Sequence, residues 1–157
     1  MLKTSAGIVI ILLTFGVYGS TDYQPTTFIK DTKLIGSLHQ NNEVEMFLGI
    51  PFAVPPINNL RWEKPIAWTP ENKKEITANK FRAACIQNQR IVNWYKRLIL
   101  DFGSDPKTFD IPEFSEDCLY LNLWRPRELK NNLPVIVYIH GGSNKAGWAY
   151  EPNYLGH

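Results

Sequence analysis

The sequence predicts a fold that combines a β-sheet with an α-helix, on three observations. Short runs rich in β-branched and aromatic residues, bounded by turn residues, predict strands over residues 28–38, 44–50 and 119–124. Between residues 87 and 102, apolar residues recur at spacings of three and four, which predicts one amphipathic helix. The third observation is the continuous run VIVYI at residues 135–139, which is typical of a strand buried on both faces in the middle of a sheet.

The segments between these elements carry turn and loop signals. The polar HQNNE sequence at residues 39–43 separates the first two strands, so we expect a small hairpin there. Residues 51–70 contain five prolines, each of which fixes φ and removes a backbone donor, so extended coil is expected. Residues 103–112 (GSDPKTFDIP) form a loop by their Gly, Pro, Ser and Asp content. Because no internal repeat or linker divides the chain, one domain is expected.

The aromatic residues of the predicted helix leave two interpretations open. Trp94 and Tyr95 belong to its apolar stripe. Such a stripe usually packs in a core, but it can also line a ligand gorge. The spacing alone favours core packing.

Composition and charge exclude several classes of protein. The 157 residues are 44% hydrophobic and 13% aromatic, which is sufficient for the core of one globular domain of ordinary size. Seventeen basic and 15 acidic residues give a formal net charge of +2, and no block of basic residues occurs. The sequence therefore lacks the electrostatic signature of a nucleic-acid or membrane-surface binder.

The N-terminus has the layout of a secretory signal peptide. Lys3 precedes an apolar run at residues 6–18, and small residues follow directly. Cleavage after Gly19 would assign residues 1–19 to the signal peptide and send residues 20–157 through the endoplasmic reticulum to the outside of the cell. An uncleaved membrane anchor is the alternative, but the run of 13 residues is shorter than the roughly 20 that a spanning helix needs.

The two cysteines are also informative. Cys85 and Cys118 are the only cysteines in the sequence. Export would place them in an oxidising compartment, where they are candidates for one disulfide. Two buried free thiols are the alternative.

Residues 116–126 (EDCLYLNLWRP) carry a specific family signature. This run resembles the conserved block of type-B carboxylesterases and cholinesterases, and eleven consecutive positions fit the pattern. Three further motifs stand in the order of the same family: FLGIPFAVPP at residues 47–56, LRW at residues 60–62 and HGG at residues 140–142. The resemblance implies the α/β-hydrolase fold, in the α/β class, from about residue 28 to the end of the sequence.

The resemblance also implies that the sequence holds only the N-terminal part of that fold. Mature members of the family are several times longer, so residues 20–157 correspond to the N-terminal portion of a type-B carboxylesterase domain and to the first strands of an incomplete sheet. On this interpretation the strand predicted at residues 135–139 lacks a partner along one edge. Because an unpaired β-branched edge is a template for aggregation, we expect the isolated product to fold poorly.

Two structural links follow from the same resemblance. The family pairs the cysteines at the positions of Cys85 and Cys118, which would close a loop around the predicted helix. It also joins Arg61 to Glu116 in a salt bridge that ties the proline-rich segment to the signature block. We expect this pair to be buried, so that removing one partner would strand the other charge at a cost of about 3 to 5 kcal/mol.

The chemistry implied by the resemblance begins directly after residues 135–139. Esterases of this fold place backbone N–H groups there to receive the oxyanion of the tetrahedral intermediate, and glycine lets the backbone approach the substrate closely. The family correspondence assigns these donors to Gly142 and Ser143, and it assigns the support of the loop to His140 and Gly141.

The sequence departs from the family pattern within this loop. The family usually has Gly or Ala and then an aromatic residue after the second glycine, whereas this sequence has Ser143, Asn144 and Lys145. A backbone donor tolerates the side chain of Ser143, but Asn144 and Lys145 put polar and charged groups where the family has an apolar gorge lining. The departure keeps a second interpretation open, a secreted cholinesterase-like protein that binds a partner without catalysis. A third, an unrelated small β-rich module, leaves the signature unexplained.

The catalytic residues themselves are missing from the sequence. An esterase of this fold needs a serine in a G-x-S-x-G elbow, an acid and a histidine. No G-x-S-x-G occurs, and none of His39, His140 and His157 matches the family's catalytic base. The sequence therefore predicts an N-terminal fragment of a secreted carboxylic ester hydrolase that is inactive alone. The parent enzyme would act on a small-molecule carboxylic ester by acyl-serine chemistry, and no metal or cofactor is expected.

Overall fold

The structure is a computed structural model that describes residues 23–70, 74–128 and 132–155. The predicted signal peptide at residues 1–19 and the terminal His157 lie outside the described residues. Among the residues that are described, no helix is long and apolar enough to cross a membrane.

The described chain contains eight short strands and one α-helix. In chain order they are β1 (Thr26–Ile29), β2 (Thr32–Ile35), β3 (Ser37–Leu38), β4 (Val44–Pro51), β5 (Glu75–Thr77), β6 (Ala84–Cys85), α1 (Arg90–Asp101), β7 (Phe114–Ser115) and β8 (Tyr120–Pro126). Three short 3-10 turns lie at Asn58–Leu60, Pro106–Thr108 and Pro152–Tyr154. The strands form three small sheets with the orders β1-β2-β5, β3-β4-β8 and β6-β7.

The central sheet is built on β4. This strand pairs antiparallel with β3 on one side, where Ser37 lies opposite Met46, and antiparallel with β8 on the other. The hairpin predicted around residues 39–43 and the strands predicted at residues 44–50 and 119–124 are therefore confirmed. The first predicted strand, at residues 28–38, is divided into β1, β2 and β3, because the chain reverses at Lys30, which has a φ of 52°, to make β1 antiparallel to β2.

A buried ion pair holds β4 to β8 at one end of this sheet. Glu45 and Arg125 lie directly opposite each other in the register, and Arg125 Nε donates to Glu45 Oε2 at 2.6 Å. Glu45 is 0% exposed. Its other oxygen accepts a hydrogen bond from the Tyr23 hydroxyl, and Arg125 Nη2 donates to the carbonyl of Thr26 at 2.9 Å. The carboxylate is thus satisfied on both oxygens, as a buried charge requires.

The apolar core consists of two clusters. The first joins β2 to β4 through Leu34, Phe47 and Ile50, together with Ala78. The second joins α1 to the chain around residue 148, and its buried members are Ala84, Val92, Tyr95 and Trp148. The predicted helix is confirmed with the bounds Arg90–Asp101, and Val92 and Tyr95 are the residues of its apolar face that are buried. Trp94 is 51% exposed.

The strand predicted at residues 135–139 is absent. The backbone there forms no ladder with any described residue, and Val135, Ile136, Val137 and Ile139 are 80–91% exposed. The prediction of a strand buried in mid-sheet is therefore wrong for the described chain. The physical reason is that a strand forms only where its backbone N–H and C=O groups pair with a neighbour, and residues 135–139 pair with none of the described strands.

Candidate functional site

The four residues predicted to form and support the oxyanion hole, His140 to Ser143, lie in one loop, residues 140–147, which we call the HGG loop. Gly142 has a φ of 116°, and Ser143 and Asn144 follow in the left-handed region with φ of 58° and 55°. The N–H groups of Lys145 and Ala146 both donate to the carbonyl of Gly142, at 3.0 and 3.3 Å. These bonds fold the loop back on itself directly after its glycine pair.

The two predicted oxyanion donors are the backbone N–H groups of Gly142 and Ser143. Within the described ranges, neither the N–H of Gly142 nor that of Ser143 donates to a protein atom. Ser143 is exposed and Gly142 half-buried. The side chains of Asn144 and Lys145 are exposed on the same turn. The assignment of the donors stays a prediction, and the geometry leaves both N–H groups available for it.

The end of the HGG loop packs against its beginning at Gly147, which is buried and has a φ of 114°. A Cβ at this position would lie 2.8 Å from the carbonyl oxygen of Gly141 and 2.8 Å from Nδ1 of His140. It would also lie 2.9 Å from Oε1 of Glu151. His140, whose Nδ1 lies 2.9 Å from the Gly141 carbonyl, therefore packs with Gly141 against the closing residue. Only glycine fits this backbone and this space.

A glutamine outside the loop contacts the same glycine. Gln87 Oε1 accepts from the Gly147 N–H at 2.6 Å, and Gln87 Nε2 donates to the Gly147 carbonyl at 2.9 Å. The same Nε2 donates to the carbonyl of Cys85 at 3.0 Å. Sequence reasoning missed Gln87, because it stands 60 residues from its partner and carries no signal beyond its place two residues after a cysteine.

A buried carboxylate holds the segment that follows the loop. Glu151 is 7% exposed, and its Oε1 accepts from the N–H of Trp148 at 3.2 Å. Its Oε2 accepts from the Tyr95 hydroxyl at 3.1 Å, which links the loop to α1. Burial, together with the hydrogen bond to this carboxylate, raises the pKa of Tyr95 above its usual value. Sequence reasoning placed Tyr95 in the apolar stripe but missed Glu151.

The aromatic residues near the loop pack on one another. Tyr95 stacks on Phe109 with ring centroids 5.1 Å apart, and Trp148 lies 6.1 Å from Tyr95. Phe81 stacks on Tyr150 at 4.4 Å. Tyr95 therefore packs in the core, as the spacing of the stripe favoured, whereas Trp94 and Phe102 face outward.

The disulfide between Cys85 and Cys118 is present, with a Cα–Cα distance of 5.0 Å. It joins β6 to the segment before β8 and closes a loop that contains α1. In the chain-entropy account, which is model-dependent, closing a loop of this size stabilises the fold by about 3 to 4 kcal/mol. Through Cys85 it also adjoins Gln87.

The ion pair between Arg61 and Glu116 differs from the expectation. Arg61 Nε lies 2.5 Å from Glu116 Oε1, and the two side chains are 53% and 35% exposed. The expectation of a buried pair is therefore wrong. Water screens charges this exposed, so the pair contributes about 0 to 1 kcal/mol instead of the cost of a stranded buried charge.

The fold and the loop together define the class of protein. Short strands around an antiparallel central sheet, a helix inside a disulfide-closed loop, and a glycine-rich turn make up part of an α/β-hydrolase fold. The sequence model of the carboxylesterase family matches residues 24–156, and the chain belongs to this family.

Individual relatives agree with this assignment. The chain is 32% identical to a fumonisin B1 esterase from Sphingopyxis macrogoltabida, over 99% of this chain and 27% of that protein. It is 34% identical to carboxylesterase 5A from Mus musculus, over 94% of this chain and 26% of that protein. A solved structure of a thermophilic PNB esterase is similar with a TM-score of 0.66 at 29% identity, over 82% of this chain and 24% of that one. The chain thus spans about a quarter of the length of these relatives.

Proposed function

We propose that the HGG loop supplies the oxyanion hole of a carboxylic ester hydrolase. The observation that carries this proposal is the pair of N–H groups on Gly142 and Ser143, which have no acceptor in the described chain. They sit on a loop whose far end is held by Gln87 and by the residues around Glu151. Donors fixed in advance in this way stabilise developing charge without reorganising during the reaction.

The reaction follows from these donors together with acyl-serine chemistry. The histidine takes the proton of the serine hydroxyl as the serine oxygen attacks the ester carbonyl, the C=O bond becomes a C–O⁻ single bond, and the oxyanion accepts from the two N–H groups. The histidine then gives this proton to the departing alcohol. Collapse of the tetrahedral intermediate expels the alcohol, and water then hydrolyses the acyl-serine. Each donor contributes about 3 to 4 kcal/mol to the transition state in enzymes of this kind.

The serine, acid and histidine of this reaction are not among the 157 residues, which contain no G-x-S-x-G. We therefore propose that these residues alone do not turn over an ester, and that residues 20–157 act as the N-terminal portion of a larger catalytic domain. The substrate class is a small-molecule carboxylic ester.

Secretion is part of the same proposal. The arrangement of residues 1–19 is that of a signal peptide, and a disulfide between Cys85 and Cys118 suits an oxidising compartment. N-terminal sequencing of material collected from the culture medium of expressing cells checks this, since the product should begin at Ser20. Material that stays inside the cell with residues 1–19 attached would contradict it.

The activity is tested with a nitrophenyl ester and an organophosphate. The purified 157-residue chain should show no turnover. The product of any longer reading frame in the transcript should contain G-x-S-x-G and hydrolyse the ester, with turnover abolished by the organophosphate. A longer product without the elbow serine would overturn the proposed esterase activity and favour a non-catalytic cholinesterase-like binding protein. Turnover by the 157-residue chain would overturn the claim that it is inactive.

A further inference from the structure

Gln87 makes a paired contact that resembles one rung of a β-ladder. Its amide oxygen accepts from the N–H of Gly147, and its amide nitrogen donates to the carbonyl of the same residue, at 2.6 and 2.9 Å. The nitrogen also donates to the carbonyl of Cys85. The opposite amide orientation would turn an NH2 group toward an N–H and an oxygen toward two carbonyls. The network therefore fixes the amide orientation.

The contact of Gln87 with Gly147 affects the first predicted oxyanion donor, the Gly142 N–H, through the peptide group that joins Gly141 to Gly142. The backbone of Gly147 packs so closely on the carbonyl oxygen of Gly141 that a Cβ would lie 2.8 Å from it. The carbonyl of Gly141 and the N–H of Gly142 belong to the same planar peptide, so the direction of one sets the direction of the other. Holding Gly147 in place therefore orients the Gly142 N–H.

The other end of the contact is anchored to the rest of the fold. Cys85 is paired with Ser115 in the β6-β7 sheet and is bonded to Cys118, two residues before β8 begins. Gln87 thus connects the closing residue of the HGG loop to the disulfide and, through it, to the segment that enters the central sheet.

We propose that Gln87 is a positioning residue for the oxyanion loop, acting through Gly147 on the orientation of the Gly142 N–H. Gln87 contacts neither predicted donor itself. The role in catalysis rests on the proposed function, whereas the hold on Gly147 is a property of the chain alone.

The hold on Gly147 is tested without any catalytic activity. In the 157-residue chain, Gln87→Met keeps the length of the side chain and removes its polar atoms. Gln89→Met is the matched control, because Gln89 is exposed and makes no capping hydrogen bond at the start of α1. Amide hydrogen exchange at Gly147, followed by NMR, should rise about tenfold in Gln87→Met and stay unchanged in Gln89→Met. An unchanged rate in Gln87→Met would overturn the proposal.

A second variant decides the matter if Gln87→Met fails to fold. The charged carboxylate of Gln87→Glu still accepts from the Gly147 N–H but offers no hydrogen to the two carbonyls. Protonation, near the usual glutamate pKa of about 4.3, restores one donor. The ratio of the exchange rate of the Gly147 amide in Gln87→Glu to that in wild type should therefore decrease as the pH falls through this range. A ratio that does not change with pH would contradict the proposed hydrogen-bonding role.

The catalytic consequence is tested in the esterase-active polypeptide of the proposed function. Gln87→Met should lower kcat about tenfold with KM within about twofold, a smaller effect than the roughly 100- to 1,000-fold loss when an oxyanion donor is removed. Wild-type kcat in this variant would overturn the positioning role. Absence of esterase activity in the wild type would overturn the proposed function instead, and the exchange experiment would still test the hold on Gly147.

Discussion

At the scale of single residues, the HGG loop requires glycine at two positions, Gly142 and Gly147, where a positive φ and close neighbours exclude a side chain. Gly147 combines a φ of 114° with backbone and side-chain atoms on three sides. Sequence inspection singled out the glycines of the HGG motif, which precede it. The importance of Gly147 comes from contacts that only the folded chain creates.

Gly147→Ala should therefore lower the free energy of unfolding by about 2 to 4 kcal/mol, because it adds a steric clash to backbone strain. Gly103→Ala is the control, since Gly103 also has a positive φ, 77°, but has no atom within 4 Å of an added Cβ. Its loss should be about 1 kcal/mol. Urea unfolding measures both, and equal losses would contradict the packing described for Gly147.

Tyr95→Phe removes the hydroxyl that donates to buried Glu151. This substitution should lower the free energy of unfolding by about 1 to 3 kcal/mol at pH 8. The pKa of Tyr95 is raised from 10.0 in the folded state, so above pH 10 the unfolded chain binds fewer protons than the folded one. Stability due to this tyrosine is then lost as pH rises. The difference between wild type and variant, measured by urea unfolding, should narrow from pH 8 to pH 11. A stability difference that widens with pH would contradict the hydrogen bond assigned to Tyr95 and Glu151.

At the scale of elements, two ion pairs of the same chemistry differ in burial. The pair between Glu45 and Arg125 joins β4 to β8 with side chains 1% and 24% exposed. The pair between Arg61 and Glu116 joins the proline-rich segment to the signature block with side chains 53% and 35% exposed. Burial therefore decides what each contributes to stability.

Arg125→Met should lower the free energy of unfolding by about 3 to 5 kcal/mol, because it leaves the Glu45 carboxylate buried without its cation. Arg61→Met should lower it by no more than about 1 kcal/mol. Both values come from urea unfolding at neutral pH. If Arg125→Met costs no more than Arg61→Met, the buried pair does not hold the sheet as described.

Local sequence patterns account for the elements whose backbone hydrogen bonds join residues close together in the sequence. The apolar spacing of α1 and the turn residues between β3 and β4 are local, and both elements formed where they were predicted. Residues 135–139 have the composition of a strand, yet a strand exists only beside a partner, and the pattern does not show whether one is at hand. Gln87 and Glu151 could not be predicted, because their contacts span 60 and 56 residues.

The exposed run at residues 135–139 should promote self-association through backbone pairing between copies. Val137→Lys, at a side chain that is 80% exposed, should shift the chain toward monomer in sedimentation velocity at micromolar concentrations. Leu100→Lys is the control, since Leu100 is 60% exposed on α1. This substitution adds the same charge outside the run. Equal effects of both variants would point to net charge and not to the run.

At the scale of the whole molecule, the described chain contains two small apolar cores. One cluster supports the central sheet, and the other packs α1 against the end of the HGG loop. The family and its fold could be recognised from the eleven-residue signature. The support of the HGG loop, by contrast, depends on long-range contacts of Gln87, Glu151 and the second cluster, which only the folded chain creates.

The proposed function assigns the oxyanion of ester hydrolysis to the backbone N–H groups of Gly142 and Ser143. The most direct measurement is a crystal structure of the organophosphate adduct of the esterase-active polypeptide, in which the phosphoryl oxygen stands in for the oxyanion. This oxygen should lie about 2.7 to 3.1 Å from the backbone nitrogens of Gly142 and Ser143. A phosphoryl oxygen held by other donors, or directed to solvent, would contradict it.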